Sequence, residues 1–154
     1  VTGMRRKDRE MDTEFAWKVF DEAPFAAFAL SDENGTPYCI PVSPARSGNI
    51  VYLHCAKDGH KLDIITRNNQ VCLSSVSRAN IISEKFTVSF ASAVLRGKAV
   101  LVEEESEKIL ALRIICERYT PDNMVNFERA IEKSLPATCV VRIDVSDITG
   151  KQNV

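Results

Sequence analysis

Residues 86–105 read FTVSFASAVLRGKAVLVEEE. Aromatic and β-branched side chains give the stretch a strand character, yet it is long for one straight strand, and Gly97 stands near its middle. A glycine inside a strand pattern marks a bulge or sharp bend of the kind that barrels use to turn corners. The stretch therefore predicts two strand segments meeting at Gly97.

Upstream, MDTEFAWKVFDEAP at 11–24 repeats Phe15, Val19 and Phe20 on one helical face, with Asp12 as N-cap and Pro24 past the end. PFAAFAL, the turn SDENG and TPYCIPV form two strands around Asn34-Gly35, and RSGNIVYLH adds a turn and a third strand. Asp58 then reads as the cap of a helix over 59–67, closed by Asn68-Asn69 before the strand QVCLSSV at 70–76. Downstream, SEKILALRIICERY at 106–119 carries a stripe of Ile109, Leu112 and Cys116 behind a Ser106 cap. A further helix is expected in NMVNFERAIEKSL, and ATCVVRIDV at 137–145 reads as a closing strand, with Cys139, Val141, Ile143 and Val145 on one face. Strands at short spacing with a few helices imply a mainly β, mostly antiparallel barrel with helices outside, because closure removes exposed sheet edges.

The 154 residues suit one compact domain over 12–154, preceded by an N-terminal arm over 1–11. With 45% hydrophobic and 27% charged residues, and no apolar run of the ~18 residues that a membrane span requires, no membrane partner is expected. Twenty Lys+Arg against 21 Asp+Glu leave a formal charge of -1, so there is no basic field to gather nucleic acid. Five cysteines, without a C-x-x-C pair and odd in number, indicate a reducing cytoplasm and core thiols. The opening VTGMRRKDRE lacks the apolar stretch of a secretory signal, and Met4 reads as its natural start. Its Arg5, Arg6 and Arg9 suit a solvated face.

Both histidines of the chain fall in YLHCAKDGHK at 52–61. A metal site would draw on His54, Cys55, Asp58 and His60, but the histidines lie six apart across a strand-to-helix turn, with no second cluster to complete four ligands. A Cys55–His54 nucleophile pair fails because neighbours on a strand face opposite ways. A phosphate site uses more of the stretch: Gly59 permits close backbone approach, the helix start offers free N–H groups, and Lys61 adds a cation. By itself G-x-K also suits a solvated turn.

Several segments, in order along nearly the whole chain, resemble the pyridoxamine 5'-phosphate oxidase-like FMN-binding superfamily, and most closely its branch of Nim-type 5-nitroimidazole-resistance proteins. They are MRRKDRE at 4–10, D-x-x-G-x-P-Y at 32–38 followed by Ile40-Pro41-Val42, and Y-L-H-C-A-x-x-G-x-K in the elbow. FASAVLRGKA at 90–99, EKILALR at 107–113 and ITGK at 148–151 continue the series. The resemblance implies an FMN-binding split β-barrel that forms a homodimer with FMN at the interface. It places Pro41, Val42 and Ser43 along the isoalloxazine ring, Leu53 and His54 at its border, Gly59, His60 and Lys61 at the phosphate, and Ser92 near the ring from a neighbouring strand. It also makes His54 the catalytic candidate; the alternative is a hydrogen-bonded core histidine. Arg5, Arg6 and Arg9 would reach the partner subunit, and Trp17 would lie either near the flavin or in the core.

The chain departs from the family pattern at Ser43-Pro44, where an asparagine and an aromatic are expected, and at Ala93 for valine. The substrate-binding arginines of true pyridoxamine phosphate oxidases have no match, so vitamin B6 synthesis is not expected. No G-x-G-x-x-G nicotinamide fingerprint is present. The implied activity is an FMN-dependent oxidoreductase acting on a small planar aromatic, a nitroaromatic or quinone, without a metal. The alternative is a non-catalytic flavin- or haem-binding module of the same fold.

Overall fold

A computed structural model describes residues 3–154; Val1 and Thr2 of the expected arm lie outside the described residues. The arm forms a 3-10 turn at Lys7–Arg9 and a short strand, β1 (Glu10–Met11), which pairs with Gly150 and Lys151 near the chain end. Arg6 folds onto Asp8 in the same turn, and that hydrogen-bonded ion pair pulls the Asp8 carboxyl down to about 2. α1 (Thr13–Glu22) starts where expected: the Asp12 carboxylate accepts the Phe15 N–H at 2.8 Å. Trp17 and Phe20 meet edge to face in the core, which decides the place of the tryptophan.

β2 (Ala26–Ser31) and β3 (Pro37–Val42) form the expected hairpin, its turn held by Asp32, whose carboxylate accepts the Asn34 and Thr36 N–H groups. β4 (Ala45–Ser47) and β5 (Ile50–Ala56) form the next hairpin, followed by α2 (His60–Arg67) and β6 (Gln70–Ile82). β7 (Thr87–Leu101) is one continuous strand, which corrects the expectation of two segments. The irregularity is real but lies in the pairing: the register shifts between Arg96 and Gly97, against the long final strand β8 (Thr138–Asn153). A Cβ at Gly97 would overlap the Asp144 carbonyl, so the glycine serves close approach of two backbones rather than a break.

α3 (Glu105–Tyr119), a 3-10 stretch (Pro121–Asn126) and α4 (Phe127–Ser134) lie between β7 and β8. Two caps differ from expectation. Glu104 rather than Ser106 precedes α3, and Gly59 rather than Asp58 precedes α2, in both cases without a side-chain cap bond.

The sheet is antiparallel with strand order β3-β2-β6-β7-β8-β5-β4, and β1 pairs with β8. Its two outermost strands, β3 and β4, are joined in the chain by Ser43-Pro44 alone. A sheet whose edges are covalent neighbours must curl on itself, yet no ladder pairs β3 with β4 or β5 among the described residues. The result is a barrel with a split, so two edges persist that full closure would have removed. Proline explains the gap: Thr36 directs its carbonyl to β2, so residues 37, 39 and 41 direct theirs outward, and Pro37 and Pro41 have no N–H to offer a neighbour.

Phe28, Leu30, Val51, Leu53, Leu73, Leu95, Val141 and Ile143 fill the barrel, with Leu62, Ile64 and Ile65 of α2 sealing it. A second core on the outside joins α3 and α4 to Tyr52 and Val140.

Candidate functional site

The corner at Ser43-Pro44 is pinned from outside. The Arg118 guanidinium donates to the carbonyls of Pro44, Phe20 and Ala23 at 2.6, 2.7 and 2.8 Å, and the Tyr119 hydroxyl also donates to Pro44. This holds the end of β3, with Pro41 and Ser43 exposed and Val42 half-buried, at one lip of the split. The other lip is β5. Its residues 49, 51, 53 and 55 direct their main-chain groups to β8, as the bond from Val145 N–H to Asn49 shows. Residues 54 and 56 therefore direct theirs into the split, past the point where β4 stops pairing at Tyr52. Both lips thus present unpaired main-chain groups, which suit the polar edge of a flat ring.

α2 crosses the end of this split. Gly59 has φ 157° and ψ 158°, a conformation nearly restricted to glycine, and nothing would contact a Cβ there, so the backbone geometry alone demands the residue. The helix start carries no side-chain cap, leaving its first N–H groups for a ligand or water. Lys61 is half-buried and lies close enough to Cys55 to act on its thiol. His60 turns toward β3: its ring meets Tyr38 edge to face at 4.8 Å and lies in the field of Asp32. The donor set of an uncapped helix start, a cation and an imidazole fits a dianionic phosphate, and the two strand lips fit a ring plane beside it.

The remaining expected residues separate. Leu53 is 1% exposed, with its side chain in the barrel core and its main chain directed to β8, so it backs the lip from inside. His54 points the other way, into a cavity of about 220 Å³ between β5 and the outer helices, lined by Leu112, Met124, Phe127, Ile131 and Thr138. The cavity walls partly desolvate the imidazole and hold its pKa below the ordinary histidine value. It is not a core histidine. Ser92 pairs with Lys151 of β8, whereas His54 pairs with Val140, eleven positions away and up to roughly 36 Å along an extended strand. Ser92 therefore stands far from His54 along β8, while its neighbour Ala93 shares a row with Val42 through Ser75 and Ala26, about 14 Å away across three strand spacings. His54 and His60 do not converge, and among the described residues no three His, Cys, Asp or Glu side chains gather as a metal site would require.

Sequence reasoning missed the clamp of Arg118 and Tyr119 and the helical wall of the cavity, because these residues lie far along the chain from the elbow. Tyr38 was legible as part of a motif, but not its contact with His60.

The family model of pyridoxamine 5'-phosphate oxidase matches residues 12–152. No curated protein matches the chain. Among solved structures it is similar to a candidate 5-nitroimidazole antibiotic resistance protein from Bacteroides thetaiotaomicron, with 25% identity over 93% of this chain and 86% of that one, at a TM-score of 0.76. The flavocytochrome Anf3 from Azotobacter vinelandii is 23% identical, over 99% and 72%, at 0.81. An FAD and heme binding protein from Mycobacterium smegmatis is 18% identical, over 94% and 73%, also at 0.81. The last two establish likeness of fold alone. With a family model spanning nearly its whole length and a split barrel of matching architecture, the chain belongs to the pyridoxamine 5'-phosphate oxidase family.

Proposed function

We propose that this protein is an FMN-dependent oxidoreductase, active as a homodimer with FMN at the subunit interface, that reduces nitroaromatic compounds of the 5-nitroimidazole kind or quinones. The observation that carries the reading is the uncapped start of α2, with Gly59 in its glycine-only conformation and Lys61 beside it, at the mouth of a split with unpaired strand edges. Bound FMN supplies the electron transfer; the chain seats it and orients the substrate. Lys61 and the first N–H groups of α2 hold the phosphate, His60 adds its ring, and Pro41, Val42, Ser43 and the main chain of His54 border the isoalloxazine, with Leu53 backing that lip from the core. Ser92 stands far from His54 along β8 and reaches the ring beside it from the second subunit. His54, neutral at physiological pH, faces a cavity whose apolar wall admits a small uncharged aromatic; it orients that substrate by a hydrogen bond and gives up a proton more readily in acid.

The similarity to a flavocytochrome and to an FAD and heme binding protein favours one alternative, a flavin- or haem-binding module without turnover. The visible spectrum separates the two. A flavin band bleached by NAD(P)H and restored by a nitroaromatic supports the enzyme. A flavin that does not bleach, or a haem band, supports the module, and protein that takes up neither defeats both. Lys61→Ala should weaken FMN retention by about 1.5–3 kcal/mol, roughly ten- to a hundredfold in Kd; unchanged retention removes Lys61 from the seat.

A further inference from the structure

All five cysteines are free thiols, but their positions are not equivalent. Cys55 of β5 and Cys139 of β8 stand directly opposite each other in the ladder. Val145 N–H donates to Asn49 across the same ladder, while the Val140 carbonyl serves Val102 on the other side. By alternation, residues 139 and 55 turn their main-chain groups toward each other, which makes them a hydrogen-bonded pair with Cα atoms about 5.5 Å apart. A disulfide spans about 4.4–6.8 Å between Cα atoms, so the pair lies within reach, and its Cβ atoms, about 5.5 Å apart at a hydrogen-bonded position, must draw together by roughly 1 Å to close the bond. Both side chains are half-buried against the barrel core. Cys39 and Cys72 instead flank Ala29 from opposite sides of β2, about 10 Å apart, and Cys116 lies on α3 in the outer core.

We propose that Cys55 and Cys139 are an oxidisable dithiol that closes to an intramolecular disulfide when the protein meets a hydroperoxide. Burial and the facing Cys139 push the Cys55 thiol up to about 11, so Cys55 keeps its proton and Cys139 is the attacking group. Its thiolate attacks one peroxide oxygen and the O–O bond breaks. With hydrogen peroxide the departing hydroxide takes up a proton as water, and Cys139 is left as a sulfenic acid. The Cys55 sulfur then attacks the Cys139 sulfur: the S–S bond forms, the S–O bond breaks, and the hydroxyl leaves with the Cys55 proton as a second water. The two sulfurs lose two electrons and the peroxide gains two. The new bond joins the end of β5, between His54 and the turn into α2, to the start of β8 behind α4.

The test does not depend on any bound flavin. The purified full-length chain, reduced and freed of reductant, is treated with hydrogen peroxide, and its remaining thiols are alkylated under denaturing conditions. The expected result is a monomer lighter by two hydrogens, with three of five cysteines alkylated and a peptide joining Cys55 to Cys139. Cys139→Ser should keep the four remaining thiols alkylatable and form no such bond. Phenylarsine oxide, which bridges paired thiols, should bind the reduced chain one to one and block the oxidation. Full alkylation after peroxide, single-cysteine oxygen adducts without loss of hydrogens, or bonds only between chains would each overturn the proposal.

Discussion

His54 and Cys55 are neighbours in sequence with opposite fates, because a strand turns successive side chains to opposite faces. The imidazole overlooks an apolar cavity and the thiol faces the barrel. Burial depresses the His54 pKa, so in a histidine titration followed by NMR it should fall below about 6.5. The sign follows: below that value the unfolded chain binds the proton more readily, so His54 costs stability as pH drops from about 6.5 through its folded value. His54→Asn should flatten that part of the stability profile, and a pKa at or above the ordinary value would refute the desolvation argument. At Gly97 the backbone of Asp144 occupies the space of a side chain. Gly97→Val should therefore cost about 1–3 kcal/mol in denaturant unfolding, through forced separation of β7 and β8.

Elements are tied together by a few long side chains. Arg118 joins the C-terminal turn of α3 to the end of α1 and to the corner between β3 and β4. Removing its fork leaves three carbonyls without their donor, so Arg118→Ala should destabilise by about 3 kcal/mol; Lys at this position restores only part, lacking the planar geometry. A second tie joins α3 to the sheet. Arg142 donates to Glu107 at 2.8 Å and the Tyr52 hydroxyl donates to it at 3.1 Å, and the Arg142 bond holds the Glu107 carboxyl below its ordinary range. This stability is complete above about pH 4.3 and is lost as pH falls through the lower folded value. Glu107→Gln should remove that acid limb, as urea midpoints measured against pH would show. Where an element had an amphipathic face, its sequence revealed it; α1, the β2–β3 hairpin and the body of α3 are examples. β6 and β8 ran on, however, to Ile82 and Asn153, past the residues 76 and 145 where the apolar alternation stops. Segments such as SRAN and GKQN carry no apolar alternation to announce them, and pairing with the start of β7, and for GKQN also with β1, makes them strands.

At the scale of the molecule, this β6–β7 extension exposes two large apolar groups, with Ile81 84% and Phe86 98% accessible. Phe86 also adopts a left-handed backbone (φ 51°), uncommon for a bulky residue. A homodimer seating FMN between subunits, with Ser92 supplied across the interface, would cover such a surface. Ile81→Asp with Phe86→Asp should then shift the chain to monomer in light scattering and release FMN. A dimer that persists with its flavin would assign the interface to another face. Sequence alone determined the mainly β antiparallel class, the flanking helices and the glycine turn that opens α2 at Gly59, because periodicity, glycine and proline act within a few residues of themselves. Tertiary structure decided which edges stay open, where His54 points, how far Ser92 stands from it and which two cysteines face each other. Those properties depend on strand register and on contacts between distant segments, which no local pattern encodes.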